Sequence, residues 1–366
     1  MAGSDFISVA AKDISVTLDL NGGLVRALEI TRDGRTIRPL HAAPWLDEAA
    51  IQGDESLDLH LRRLAGDFFC VPFGASDVEV GPAHGWTANS RWRHLETTQE
   101  ADGVSARFRL ERNVMGATVE KTLRLRDGHP FLYETHALIG GQGNVPVANH
   151  AMIRLPAGGR LTFSPKRFAE TPEGVPEPDA PRGRSALAYP VRADDPTHFP
   201  VPGGGTADIT RYPFAERHED VAMLVEGAGS RFGWIAAQHN DSGEIFLSLK
   251  NPIEFPSTVL WFSNGGRDYA PWNGRHIRVL GIEEVRALST QGHRASIAPN
   301  RLTELGIPTA LELAPEGRME LHNVIGAVSG VPGDEVVAAM PGDGNLALRF
   351  RSGETMDVPF DTAFLG

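Results

Sequence analysis

Residues 118–139 read TVEKTLRLRDGHPFLYETHALI, and this stretch decides the fold class. Apolar and polar side chains alternate through 118–126. The chain then meets Asp127-Gly128 and returns through the apolar-rich run 131–139. A period of two marks a strand with one buried face, where a helix would repeat every 3.6 residues. Asp-Gly tolerates the positive φ of tight turns between antiparallel neighbours, so the stretch predicts a β-hairpin. The same grammar recurs along the chain. Asp33-Gly34 separates LVRALEIT (24–31) from RTIRPL (35–40), and NDSG (240–243) precedes EIFLSLK (244–250) after RFGWIAAQ (231–238). Ser352-Gly353 stands between LALRFR (346–351) and ETMDVPF (354–360), and SARFRLER (105–112) alternates as well. Further strands are predicted at 221–227, 258–264, 276–288 and 309–320, with short helices only at 45–51 and 57–65. Many antiparallel strands with turn punctuation predict an all-β chain folded as a large sandwich or barrel.

Composition agrees. The chain has 366 residues, 41% of them hydrophobic and 22% charged, with Gly 40 and Pro 26. The glycine and proline content exceeds the usual ~7% and ~5%, which favours turns over long helices. The net charge of −12 argues against a nucleic-acid partner, because phosphate binding needs a basic face. The lone cysteine, Cys70, has no partner for an internal disulfide and suits a reducing compartment. The opening MAGSDFISVAAKDISVTLDL lacks a basic region followed by an apolar one. No run approaches the ~18 apolar residues of a membrane span, so a cytoplasmic protein away from membranes is expected.

Two segments depart from the strand grammar. Residues 164–218 hold ten of the 26 prolines and Gly203-Gly204-Gly205, and read as a loop insertion arching over one sheet. A mere surface insertion is the equal alternative. After a turn-rich seam at 331–334 the chain reads as a small β appendage over 331–366, leaving 1–330 as the principal domain.

No Walker loop, G-x-G-x-x-G after a strand, H-E-x-x-H, C-x-x-C or G-x-S-x-G is present. The 13 histidines are scattered without zinc-site pairing, so no cofactor or metal is implied. Any site must therefore be assembled from distant strands, and three places carry candidates. GDFFCVPFG (66–74) leads into AHGW (83–86). There Gly85 would admit a ligand close to the backbone, and Trp86 could stack on a sugar face. In NVPVANHAMIRLP (144–156), alternation puts Val145, Val147, Asn149, Ala151, Ile153 and Leu155 on the core face. His150 then shares the other face with Arg154. In HIRVLGIEEVRAL (276–288), Glu283 and Glu284 face opposite ways, so one of them lines any given site. A carboxylate among apolar strand residues is costly unless solvated, paired or functional, and desolvation would raise its pKa toward that of a general base.

Taken in order, these pieces resemble the galactose mutarotase (aldose 1-epimerase) superfamily. The resemblance runs through LDLNGGLVRALEI (18–30), Pro72-Phe73-Gly74, His84-Gly85, His150 and Gly281-Ile282-Glu283, and then through Asn300-Arg301-Leu302, Gly306-Ile307-Pro308-Thr309 and TALELAP (309–315). It spans roughly residues 10–330 and rests on order and spacing rather than on any single match. It implies a large antiparallel β-super-sandwich with a sugar groove, a small-molecule carbohydrate as partner, and interconversion of sugar anomers without a cofactor. It further implies Glu283 as the base on the anomeric hydroxyl, His150 as the acid on the ring oxygen, and His84 as a sugar-holding histidine. Two positions differ from the family pattern: Ala75 stands where an arginine usually follows the Pro-Phe-Gly triplet, and Glu284 stands in place of a proline. Arg63 and Asp220 are the positions assigned to the remaining sugar-clasping arginine and aspartate. Arg154, Lys166 and Arg167 are the only candidates for a phosphate-binding rim. A carbohydrate-binding or sensing module, or a lyase or hydrolase on the same sandwich, is the alternative. The oligomeric state is left open.

Overall fold

A computed structural model describes residues 4–366; the first three residues of the stretch read for a leader lie outside it. All four turn-punctuated hairpins form. Ala117–Arg126 pairs with Phe131–Gly140, and Leu24–Arg32 with Arg35–Ile37. Gly233–His239 pairs with Glu244–Lys250, and Asn345–Phe350 with Thr355–Pro359. At the Asp33-Gly34 turn both residues take positive φ, 50° and 74°, the geometry that Asp-Gly accepts at low cost.

Two large antiparallel sheets make the body. In spatial order the seven-stranded sheet runs Arg192–Ala193, Lys166–Glu170, His218–Glu226, Ser257–Asn264, Val279–Arg286, Val147–Arg154 and Phe69–Cys70. The nine-stranded sheet runs from Arg211–Tyr212 through the Gly233–His239 hairpin and the long strand Arg318–Ser329 to Trp92–Glu100. Their facing surfaces interdigitate. Ala151, Ile153, Ala222, Leu224, Phe262, Leu280 and Ile282 of the first sheet pack with Leu123, Leu132, Ile235, Phe246 and Ile325 of the second. The chain is thus all-β and a large antiparallel super-sandwich, as the alternation predicts.

Each sheet's outer face is partly covered too. Over the nine-stranded sheet lies a three-stranded sheet, Val336–Pro341, Asn345–Phe350 and Thr355–Pro359. Its Leu346, Leu348, Val358 and Phe360 pack on Phe131, Tyr133, Trp234 and Leu247. Over the seven-stranded sheet lie loops instead. Trp45, Leu64, Phe68, Phe73 and Trp272 from those loops meet Ala148, Met152, Val221, Val259 and Val285 of the strands. The expected helices shrink to single turns, Ala49–Gln52 and Leu59–Arg62. Nucleation makes helices of that length unstable alone, and here they persist by packing. The 164–218 excursion begins with a sheet strand, Lys166–Glu170, and only then becomes irregular. No helix among the described residues is long and apolar enough to cross a membrane.

Candidate active site

Strands Val147–Arg154 and Val279–Arg286 are antiparallel neighbours, and their register sets His150 directly opposite Glu283. The period of two does the rest: Asn149 and Glu284 turn into the core, while His150 and Glu283 turn outward under the loops. His150 Nε2 and Glu283 Oε1 are 3.2 Å apart, both nearly buried. One position along the same face is Gly281, where a Cβ would lie 3.0 Å from both Glu283 Oε1 and Trp261 Cβ; the small residue gives the carboxyl its room. Phe68 stacks on the His150 ring at 4.5 Å between centroids. Burial drives the Glu283 carboxyl well above the usual carboxylate range and the His150 imidazole down to about 3. Both directions disfavour charge, so burial favours a protonated carboxyl beside a neutral imidazole over an ion pair.

His84 comes from a backbone device. His84 and Gly85 both take positive φ, 62° and 72°. Gly85 is obligatory because a Cβ there would sit 1.9 Å from the Val71 carbonyl oxygen. The glycine thus accommodates the chain's own backbone and not a ligand, contrary to the sequence reading. The turn aims His84 at His150, edge to face at 5.4 Å. The Cys70 Sγ lies 3.5 Å from His84 Nδ1, and burial keeps that thiol protonated. His60 packs on the far side of His84 at 5.1 Å.

These groups open into a groove of about 640 Å³. Trp261, Trp272, Tyr269 and Phe68 give it aromatic walls, and Pro172, Gly174, Val175 and Pro176 of the excursion close one side. Glu219, fully buried, accepts hydrogen bonds from Trp261 Nε1 and from Ser263 Oγ at 3.0 Å. It also pairs with Arg267 at 3.2 Å. The Arg267 guanidinium lies 4.6 Å over the Trp272 ring, and it is the one Lys or Arg lining the groove among the described residues. Such a site can hold a flat-faced polar ring and move protons at its edge.

Of the residues expected from sequence, His150, Glu283 and His84 meet here, and three do not. Trp86 points away from the groove and lies under the Arg112 guanidinium at 3.9 Å. Arg63 is taken by Asp19, 2.5 Å away, an acid 44 positions upstream that local sequence could not reveal. Asp220 faces the opposite side of its strand from Glu219 and Val221. It accepts from the amides of Ala186 and Leu187 and from Tyr189 Oη, which pins the base of the excursion. The phosphate-rim candidates also fall outside the groove lining. Lys166 is buried against Glu226, whereas Arg154 and Arg167 are exposed. Arg267, Trp272 and Tyr269 were missed because their loop carries no periodic signal, and His60, on the short helix Leu59–Arg62, because no motif marks it. Trp261, which the strand pairing sets opposite Gly281, was missed as well, because its strand is apolar in an unbroken run and buried throughout.

The sequence matches no protein-family model and no curated protein. Solved structures do match. A galactose mutarotase-like protein from Clostridium acetobutylicum superposes with a TM-score of 0.57 at 12% identity, over 89% of this chain and 95% of that one. A candidate aldose 1-epimerase from Escherichia coli K12 gives 0.57 at 12%, over 89% and 99%. A galactose mutarotase related enzyme from Lactobacillus acidophilus gives 0.51 at 11%, over 91% and 100%. Sheet order, facing cores and these superpositions lead to one conclusion: the chain has the galactose mutarotase-like fold.

Proposed function

We propose that the protein is a cofactor-free aldose 1-epimerase that interconverts the anomers of a neutral sugar. The observation that carries this reading is the His150–Glu283 pair, in contact at 3.2 Å and opening into an aromatic groove of about 640 Å³. Ring opening of a hemiacetal needs a proton removed from the anomeric hydroxyl and one delivered to the ring oxygen. Each positioned acid or base contributes roughly 10²–10⁴-fold. Transfer of the pair's proton from carboxyl to imidazole yields the carboxylate and imidazolium that this exchange uses. Glu283 takes the hydroxyl proton, His150 protonates the ring oxygen, and the freed aldehyde end rotates before the ring closes on its other face. His84 lines the groove as a further polar group. A phosphorylated substrate is disfavoured because Arg267, the single groove cation among the described residues, already faces Glu219. The test is saturation-exchange NMR over a panel of aldoses, sugar acids and sugar phosphates. Anomer exchange faster than the buffer rate for a neutral aldose supports the reading, and exchange of none opposes it.

A second reading, a carbohydrate-binding protein without chemistry, is favoured by Ala75. It lines the groove where the resemblance calls for an arginine. Saturable sugar binding with no anomer exchange distinguishes it.

A further inference from the structure

His60 stands in the groove beside His84, yet neither the sequence motifs nor the proposed proton transfers use it. Its hydrogen bonds define its state. Asn89 donates through Nδ2 to two backbone carbonyls, Ala83 O and Gly85 O, each at 2.8 Å. That fixes which end of the Asn89 amide is oxygen. Asn89 Oδ1 then faces His60, 3.0 Å from the backbone N and 3.0 Å from the ring Nδ1. An amide oxygen only accepts, so His60 Nδ1 carries a proton. The groups around the ring are Asp58, His84 and Phe68, with Asp58 Oδ2 accepting from the Ala83 amide. Burial of the ring opposes a second proton despite Asp58. Nε2 has no hydrogen-bond partner among the described residues, is not enclosed by protein, and belongs to a side chain lining the groove.

We propose that His60 is a substrate-reading residue: with its proton held on Nδ1 by Asn89, it presents the Nε2 lone pair to a ligand hydroxyl. Asn89 is the positioning residue. One amide ties the His60 turn to the two carbonyls that flank His84, so it sets both rings at once. The assignment of a hydroxyl rests on the sugar reading of the groove; the tautomer does not. An acceptor at this place selects for a donor. A ligand with hydrogen or fluorine in place of the hydroxyl leaves the lone pair unmatched, whereas a donating side chain would tolerate fluorine.

Two measurements test it on the full chain. The first is a long-range ¹H–¹⁵N correlation at neutral pH, with the His60 signals assigned by their loss in His60→Phe. The Nδ1–H tautomer is expected; Nε2–H or an imidazolium overturns the inference, even if anomer exchange is normal. The second is binding of D-glucose and D-galactose and their monodeoxy and monofluoro analogues to wild type and His60→Phe. At one position both analogues are expected to bind wild type about tenfold more weakly, and His60→Phe to lose that distinction. Unchanged discrimination in His60→Phe overturns the inference, as does tolerance of fluorine at that position. If no sugar binds while the Nδ1–H tautomer is present, the sugar reading falls and the hydroxyl assigned to His60 falls with it.

Discussion

Glu283 and Glu284 are consecutive, equally deep, and chemically unlike. Glu284 points between the two sheets. Its oxygens accept from Ser248 Oγ at 2.7 Å and Thr258 Oγ1 at 2.6 Å, and Lys250 Nζ lies 2.6 Å away. Lys250 also reaches Glu226, which holds Lys166, so the charges form a closed buried network. Glu283 points the other way and has His150 and a groove. A buried charge with a full set of partners fastens a core. A buried carboxyl whose single partner also titrates, with open space beside it, is placed to exchange protons. One peptide unit on a pleated strand separates the two conditions.

The comparison breaks first at Glu283. Glu283→Gln should lower anomer exchange by about 10²–10⁴-fold while leaving sugar binding and thermal stability nearly intact. His150→Gln should do the same, and polarimetry or NMR exchange checks both. Glu284→Ala should reverse the pattern. It should cost about 3–5 kcal/mol in chemical denaturation because Lys250 loses a buried partner, with exchange per folded molecule retained. Were Glu284→Ala silent in stability and dead in exchange, the two roles would have to be swapped.

Smaller effects sharpen the contrast. Glu283 binds its proton more tightly folded than unfolded. The folded state therefore holds more protons, and stability falls as pH rises above about 4.5 until the folded carboxyl ionises. Wild type should lose stability relative to Glu283→Gln over that range in pH-resolved melts. His150 has the opposite sign: its imidazole, at about 3 when folded against 6.5 ordinarily, contributes stability that grows with pH between those values and is absent from His150→Gln. Asp220→Asn should cost about 1–3 kcal/mol, visible as faster amide exchange at Ala186 and Leu187. Trp86→Leu, outside the groove, should leave exchange within about a factor of two.

The legible parts of the molecule were those governed by alternation. The turn dipeptides marked all four hairpins, and alternation put His150 off the core face of 144–156 and set Glu283 and Glu284 on opposite faces of 276–288, the choice of Glu283 coming from the family resemblance. The same rule applied to 218–226 would have turned Asp220 away from Glu219 and Val221, and so away from the groove. What alternation could not reach came from irregular backbone. His84 is aimed by a left-handed turn, Arg267 and Trp272 come from the loop after Ser257–Asn264, and Arg63 is claimed by a distant aspartate. In such segments side-chain direction is set by contacts made after folding, not by sequence period.

The most direct measurement is saturation-exchange NMR on wild type and Glu283→Gln with one bound aldose, at matched occupancy. The expected result is exchange well above the buffer rate in wild type and a return toward that rate in the variant, with binding retained. Equal exchange in both proteins would contradict a proton-transfer role for the groove-facing glutamate.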